Sequence, residues 1–357
     1  ISEKLKRELR FWDSIAITVG IVIGVGIFRT PAEIAKHLDS APLILLAWLA
    51  GGAISLLGVL CYAELSSRHP ETGGTYIFLR EAYGRLAGFV YGWSEFSINR
   101  CASIAAVAYV FAAYLRYLIP YEAHYEKWVA ISAIALFSLI NMIGIRPTMK
   151  VQHVLSALKV LIILGMAGLI FWLAPPAVER GIQASTSLGR LGSWAGFSAA
   201  LIPILWTYGG WHESTFLSGE FKDTKRELPI ALIASALIVA GLYVLINAAY
   251  LRMASPSEMV QSEAIASDVL RKLLGSKGAF VMTLAILVSA SGALNSNILT
   301  GGRIPFSVAQ DHTPLAWFGR ADQRFKTPLR SLVLNGAWAS ILVLWGNFER
   351  LLFLTAF

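Results

Sequence analysis

The chain has 357 residues, of which 56% are hydrophobic and only 15% are charged. Soluble domains carry about 25% charged residues, so this composition excludes an ordinary water-soluble domain. The formal net charge of +8 does not indicate a nucleic-acid-binding protein, because the basic residues lie in short segments between apolar runs and form no continuous face.

Apolar segments long enough to cross a bilayer recur along the whole chain. A spanning helix needs about 20 mostly apolar residues, and the sequence predicts nine such helices followed by the beginning of a tenth near residue 349. In chain order the predicted spans cover residues 12–35, 42–66, 83–117, 127–145, 151–174, 196–219, 229–252, 277–309 and 328–347. The chain lacks an initiator Met and stops soon after the tenth apolar run begins, so we expect further helices beyond residue 357.

Lysine and arginine residues are distributed unevenly between the loops on the two sides of the predicted spans. More of them lie on the side of the N-terminus, beginning with Lys4, Lys6 and Arg7. Cytoplasmic loops of membrane proteins carry the excess of positive charge. We therefore predict a multi-pass protein of the cell (inner) membrane with a cytoplasmic N-terminus.

Two of the predicted spans are interrupted by glycine. In the first span Gly24 and Gly26 lie among β-branched residues and Pro31 follows, which disfavours a continuous helix. In the sixth span Gly209 and Gly210 are adjacent. Close helix packing through small residues is an alternative explanation for the first interruption. Paired interruptions at corresponding positions of two halves, however, are the best sequence indicator of a transporter's substrate site.

The chemistry of such interruptions points to a particular ligand. Backbone inside a bilayer must form its hydrogen bonds within the protein, so a broken helix is tolerated only where it faces a cavity. N–H groups freed at the start of one half-helix suit a carboxylate, and carbonyl groups freed at the end of the other suit an ammonium group. Since an α-amino acid carries both groups on one carbon, the two breaks predict an amino-acid site.

Several short motifs in this order and spacing resemble the L-type amino-acid transporter (LAT) family, in the amino acid–polyamine–organocation superfamily, and in particular its bacterial members. The motifs lie at residues 23–28, 61–65, 73–76, 91–93, 100–105 and 208–211. The resemblance extends over essentially the whole chain. It implies an all-α polytopic fold of twelve helices, in which helices one and six are broken and ten helices form two inverted five-helix repeats.

Applied to this chain, the resemblance implies one transmembrane domain over residues 1–357. Its first repeat would cover about residues 12–174, and its second about residues 196–357, incomplete because the sequence stops within helix ten. Animal relatives pair with a glycoprotein through a cysteine between helices three and four. The corresponding residues 117–125 contain no cysteine, so we expect no disulfide-linked heavy chain.

The family also implies which backbone groups bind the substrate. Its carboxylate would meet the N–H groups of Val25, Gly26 and Ile27, and its amino group the carbonyl group of Ile23. Many relatives carry Ser where Val25 stands, so the backbone donor is expected to act here without a hydroxyl group.

In helix six the resemblance implies further amino-group contacts at Trp206 and Gly209. Trp206 also matches the aromatic gate that closes over the substrate. We add Ser103 in helix three and Asn295 in helix eight as predicted substrate contacts.

Lys159 lies inside the apolar fifth span. Ionisable residues within the membrane are functional candidates, although a lysine whose long side chain reaches the interface is the ordinary alternative. The family resemblance implies that its ammonium group takes the position where sodium-coupled relatives bind a cation. Ser289 and Ser291 in helix eight would supply oxygen atoms beside it.

Four further polar residues lie within the predicted spans. His212 and Glu213 follow the second break, and either side-chain selection or a local polar cap explains them equally well. Glu95 and Arg100 are five residues apart and share no face of an α-helix, so we predict that Arg100 pairs with another helix.

The leading interpretation is a secondary transporter that moves small, neutral L-amino acids by alternating access, as an exchanger or with a coupled proton. An amino-acid sensor with the same fold, or a carrier of cationic amino acids or polyamines, is the alternative. Polar residues do not follow whole spans, as a channel would require, and we predict no enzymatic activity. We expect no cofactor and no metal. The expected partners are the small-molecule substrate and the lipid bilayer, not nucleic acid.

Overall fold

The computed structural model describes residues 5–173, 194–262, 264–346 and 351. Within these ranges the chain is helical and contains no strand. The helices are α1 (Phe11–Val22), α2 (Gly26–Ala35), α3 (Ala41–Arg68), α4 (Thr75–Tyr83), α5 (Arg85–Ser94), α6 (Cys101–Leu118), α7 (Glu126–Ile143), α8 (Ile145–Leu173), α9 (Trp194–Tyr208), α10 (Glu227–Met253), α11 (Pro256–Val260), α12 (Ile265–Leu274), α13 (Ser276–Gly301), α14 (Arg303–Asp311) and α15 (Leu329–Trp345).

Helices occupy the positions of all nine predicted spans. In the described part of the chain six helices are long and apolar enough to cross a membrane. The bent pair α1–α2 makes a seventh span if its two helices are counted together. The helix α15 is apolar but has only 17 residues. The predicted all-α polytopic fold is confirmed, whereas the predicted start of a tenth helix near residue 349 lies outside the described residues.

The first span is broken where the glycines predict it. The helix α1 ends at Val22, residues 23–25 are not helical, and α2 continues at an angle of 50°. At Ile23 the backbone leaves the helical region with a ψ of 79°. A polar backbone segment therefore lies in the middle of an apolar bundle.

The sixth span is broken as well. The helix α9 ends at Tyr208, and a buried 3₁₀ helix, Glu213–Glu220, follows a turn. Gly210 in this turn has a φ of +100°, and a Cβ atom there would lie 2.5 Å from Cγ2 of Ile21. Because only glycine adopts this conformation without strain and leaves that space free, Gly210 brings the two breaks together.

A π-helical turn, Glu95–Arg100, connects α5 to α6. Residues five apart are hydrogen-bonded neighbours in a π-helix, and Arg100 indeed donates to Glu95 over 2.8 Å. The prediction that these two residues share no face is wrong, because it assumed regular α-helical geometry.

The segment before α1 closes one end of the bundle, which we call the N-terminal end. Glu8 and Leu9 each donate a backbone hydrogen bond of 2.9 Å to the Glu220 carbonyl oxygen. In return the N–H group of Lys222 donates to the Leu9 carbonyl oxygen over 2.9 Å. These bonds attach the start of the chain to the segment that follows the second break.

Candidate substrate site

A cavity of about 620 Å³ lies between the two helix breaks. Its walls come from the α1–α2 break, the π-helical turn and α6, the turn after α9, and α13. Arg29 and Trp206 line it and are exposed, Trp206 to 52%. The cavity therefore opens at the α2 end of the bundle, opposite the N-terminal end.

Most of the predicted site residues line this cavity. They are Ser103, Val25, Gly26, Trp206, Gly209, His212, Glu213 and Ser289. The other predicted residues do not line it, namely Ile23, Ile27, Lys159, Ser291 and Asn295. The sequence thus identified the two breaks correctly, but it did not separate the residues in the wall from those outside it.

The start of α2 supplies hydrogen-bond donors to the cavity. The first N–H groups of a helix have no carbonyl group one turn earlier, and no side chain at Val25 caps them. A Cβ atom at Gly26 would lie 3.3 Å from the Trp206 ring, so the start of α2 packs directly on the end of α9. Uncapped N–H groups at a helix N-terminus favour an anion.

The Ile23 carbonyl group points away from the cavity. Its oxygen accepts hydrogen bonds from Lys159 Nζ at 2.9 Å and from Ser289 Oγ at 3.0 Å. Lys159 Nζ also donates to the Gly20 carbonyl oxygen, and its side chain is fully buried in α8. Both lone pairs of the Ile23 carbonyl are therefore occupied by protein groups, and the predicted amino-group contact finds no acceptor there.

Another carbonyl group at the end of α1 belongs to a residue that lines the cavity. The carbonyl oxygen of Ile21 has no hydrogen-bond partner among the described residues, and Ile21 lines the cavity. The neighbouring carbonyl oxygens of Gly20 and Val22 accept from Lys159 and Tyr243. Ile21 therefore has a carbonyl oxygen without a partner among the described residues, whereas the carbonyl oxygen of Ile23 is already bonded to Lys159 and Ser289.

Tyr243 in α10 is a residue that the sequence analysis missed. Its buried hydroxyl group lies 2.6 Å from the Val22 carbonyl oxygen and 3.2 Å from the Thr207 carbonyl oxygen. It thus connects the last carbonyl groups of both broken helices. The sequence did contain a signal for this role, namely a tyrosine in the middle of an apolar span. Its hydroxyl group must be buried there and must therefore bond to another helix.

Asn295 belongs to a different part of the bundle. It accepts from Asn141 in α7 over 3.0 Å and donates to Gln152 in α8 over 2.8 Å. It is fully buried between these helices. Its polar groups therefore join α13 to α7 and α8 and are not directed at the substrate cavity.

A buried charge cluster forms the wall between the cavity and the N-terminal end. Arg100 Nη2 donates to Glu95 Oε1 over 2.8 Å and to Glu213 Oε1 over 2.7 Å. Its Nη1 donates to Asn297 Oδ1 in α13 over 3.0 Å. Arg100 thus pairs with another helix, as predicted, and with Glu95 of its own helix as well. Within the described ranges, no group of three or more His, Cys, Asp or Glu side chains could hold a metal ion.

Comparison with known proteins agrees with this geometry. The sequence model of the amino acid permease family matches residues 9–356. The chain belongs to this family. Amino acid permeases of the amino acid–polyamine–organocation superfamily are transporters rather than enzymes, so the predicted membership and the predicted absence of an enzymatic function are both confirmed.

The relatives of this permease include L-type transporters. It is 30% identical to the serine/threonine exchanger SteT of Bacillus subtilis (strain 168), over 97% of this chain and 78% of that protein. It is also 30% identical to the b(0,+)-type amino acid transporter 1 of Mus musculus, over 97% of this chain and 72% of the relative. Transport of amino acids across a membrane by a multi-pass protein is therefore established for the family.

A solved structure has the same fold. The outward-open, substrate-bound state of a Na⁺-coupled sialic acid symporter superimposes with a TM-score of 0.65, over 98% of this chain and 75% of the symporter. At 13% sequence identity this similarity concerns the fold alone.

Proposed function

We propose that this permease is a secondary amino-acid transporter that binds its substrate between the two helix breaks and carries it by alternating access. One observation supports this most directly. Uncapped N–H groups at the start of α2 and the unpaired carbonyl oxygen of Ile21 belong to residues that line the same cavity. This pair of opposite backbone groups matches the carboxylate and the ammonium group of an α-amino acid.

In this proposal the carboxylate accepts from Val25 and Gly26, the two residues at the start of α2 that line the cavity. The ammonium group donates to Ile21, and Trp206 and Gly209 complete the wall of the site on the side of α9. The exposed position of Trp206 corresponds to an open gate, which closes when the indole ring covers the substrate. Ser103 faces the substrate from α6.

The charge of Lys159 has a structural part in this site. Its ammonium group joins α8 to the end of α1 by donating to Gly20 and Ile23. It stands where a bound metal cation would otherwise hold these carbonyl groups, so we propose transport without a sodium ion. Exchange is the favoured mode, since one relative is named a serine/threonine exchanger.

We propose that the protein lies in the cell (inner) membrane and that its N-terminus is in the cytoplasm. The excess of Lys and Arg on the side of the N-terminus supports it. Residues 117–125, which correspond to the segment where animal relatives carry the cysteine that pairs with a glycoprotein, contain no cysteine. We therefore propose that the transporter acts without a disulfide-linked partner.

Reconstitution into proteoliposomes tests the proposal. Radiolabelled amino acids should enter faster when the vesicles are preloaded with unlabelled amino acid. Amino-acid methyl esters and N-acetylated amino acids should compete weakly, because each blocks one of the two backbone contacts. Binding without uptake would favour the sensor alternative, and the absence of both binding and uptake would refute the proposed function.

A further inference from the structure

Two carboxylates share one guanidinium group in the wall of the cavity. Glu95 and Glu213 both accept from the same nitrogen, Nη2 of Arg100, and all three residues line the cavity. They are also strongly buried, with exposed fractions of 8%, 5% and 3% for Glu95, Glu213 and Arg100. We call these three residues the acidic cluster, because together they carry one net negative charge.

The other cationic groups near the cavity do not neutralise this charge. Arg29 is exposed at the opening, near Tyr114. Tyr114 is fourteen residues from Arg100 along the same helix, a distance of roughly 20 Å at 1.5 Å per residue. Lys159 lies behind α1, where its ammonium group is bonded to two carbonyl oxygens. These positions leave the excess carboxylate at the bottom of the cavity.

One histidine lies next to the acidic cluster. His212 Nε2 is 3.8 Å from Glu213 Oε1 and lines the cavity. At this distance the imidazole makes no hydrogen bond with the carboxylate, whereas Arg100 donates to the same oxygen over 2.7 Å.

Glu213 also has an unused hydrogen-bonding atom. Its Oε2 is buried and has no hydrogen-bond partner among the described residues. An unpaired buried carboxylate oxygen is unfavourable. Once the Glu213 carboxylate turns towards the cavity, a cationic donor from the substrate satisfies both its charge and its hydrogen bond. A neutral, apolar side chain would leave both unsatisfied.

We propose that the substrates of this permease are amino acids with a cationic side chain. This inference rests on the proposed function, since the helix breaks hold the α-carboxylate and the α-ammonium group. The side-chain ammonium or guanidinium group then reaches Glu213 and Glu95 at the bottom of the cavity. A volume of about 620 Å³ is within the usual range for ligand pockets and accommodates a long side chain. The structure thus supports the cationic alternative over the small neutral substrates predicted from the sequence.

Arginine and citrulline provide a matched pair for the test, because they have nearly the same length and shape but citrulline is uncharged. In proteoliposomes at about pH 8, arginine should inhibit uptake of a labelled amino acid at least about tenfold more strongly than citrulline. Equal inhibition, or stronger inhibition by citrulline, would overturn the proposal. This comparison uses the unmodified protein and does not depend on the folding of any variant.

The substitution Glu213→Gln assigns the preference to the acidic cluster. It removes the excess charge while keeping the side-chain size, so the arginine-to-citrulline preference should fall about tenfold, towards one. The matched control is Glu64→Gln, because Glu64 is exposed on α3, outside the cavity, and pairs only with Arg68 among the described residues. It should keep the preference of the unmodified protein. A folded Glu213→Gln variant with an unchanged preference would refute the assignment.

The outcomes also separate this inference from the proposed function. Uptake of neutral amino acids with no preference for arginine refutes the cationic substrate class and leaves amino-acid transport intact. If no amino acid, neutral or cationic, is bound or transported, the proposed function itself fails.

Discussion

The hydroxyl group of Tyr243 lies 2.6 Å from the carbonyl oxygen of Val22, the last residue of α1. The same oxygen lies 3.2 Å from the Thr207 carbonyl oxygen near the end of α9. One side chain of α10 thus connects the two interrupted helices next to the cavity. Since α1 and α9 carry the proposed backbone contacts to substrate, their relative position depends on this group.

The substitution Tyr243→Phe should impair transport more than folding. A hydrogen bond contributes about 0.5–1.5 kcal/mol, so we expect uptake to fall roughly threefold to tenfold as the two breaks lose their common contact. Uptake kinetics in proteoliposomes and the melting temperature in detergent would be measured together.

Tyr250 is the matched control for this substitution. It is fully buried in the same helix, and its hydroxyl group has no hydrogen-bond partner in the described part of the chain. Tyr250→Phe should leave uptake unchanged. Equal losses in the two variants would show that a buried hydroxyl in α10, rather than the contact with Val22, determines the effect.

Lys159→Ala should abolish most of the transport activity. The substitution removes the donor to the Gly20 and Ile23 carbonyl oxygens, and hydrogen bonds to a charged group contribute about 1.5–3 kcal/mol each. We expect initial uptake rates to fall at least about tenfold, because the end of α1 loses its fixed position.

Lys150→Ala is the control for a loss of positive charge from the same helix, since Lys150 is exposed near the start of α8. It should transport normally. Unchanged uptake kinetics in the folded Lys159→Ala variant would contradict the role given to Lys159.

Gly210→Ala should destabilise the protein and reduce substrate binding. The residue has a φ of +100°, and the new methyl group would lie 2.5 Å from Cγ2 of Ile21. Backbone strain of this kind costs about 1–3 kcal/mol, and the two breaks must move apart to relieve the contact. We expect a lower melting temperature and weaker amino-acid binding than in the unmodified protein.

Gly241→Ala provides the comparison, because a Cβ atom at this exposed position in α10 meets no atom within 4 Å. An alanine in a helix is more favourable than a glycine by about 1 kcal/mol, so the melting temperature should stay the same or rise. A similar loss of stability in both variants would argue against the special role of Gly210.

The N-terminal segment should detach at acidic pH. The hydrogen bond from Lys6, together with Arg146, lowers the pKa of the Glu8 carboxyl group below its ordinary value of 4.5. Because the pKa is lower in the folded state, the stabilisation from Glu8 is present above the unfolded value and is lost as the pH falls through the folded value. The protection factor of the Leu9 amide, which corrects for the pH dependence of intrinsic exchange, should therefore fall below about pH 4.

Glu8→Gln isolates this effect. Its Leu9 amide should have a lower protection factor than that of the unmodified protein at neutral pH, and acidification should lower this factor by less. If acid lowers the protection factor equally in both proteins, Glu8 is not the group that attaches the segment.

The sequence by itself determined the membrane fold and the position of both helix breaks. These depend on local chemistry. Apolar segments of sufficient length must be helical in a bilayer because their backbone groups have no water to bind. Glycines such as Gly24, Gly26 and Gly210 weaken the helix where they occur, whatever the neighbouring helices are. Residues 23–28, which contain two of these glycines, were also among the motifs that resemble the transporter family.

The tertiary structure alone decided which groups at the breaks are free to bind. Ile23 and Ile21 are both apolar residues near the end of α1. The carbonyl group of Ile23 is occupied by Lys159 and Ser289, whereas that of Ile21 has no partner among the described residues and belongs to a residue of the cavity wall. These donors come from helices far away in the sequence, so no local pattern reveals the difference. Asn295 shows the same limit, since its partners in α7 and α8 direct it away from the cavity.

The acidic cluster depends on tertiary structure for a second reason. Glu95 and Arg100 meet only because the helix there is π-helical, and Glu213 joins them from beyond the second break. A charge in an apolar span must be paired, so the sequence could indicate that Arg100 has a partner. It could not indicate that two carboxylates share it, and that excess of one negative charge is the feature on which the proposed substrate class depends.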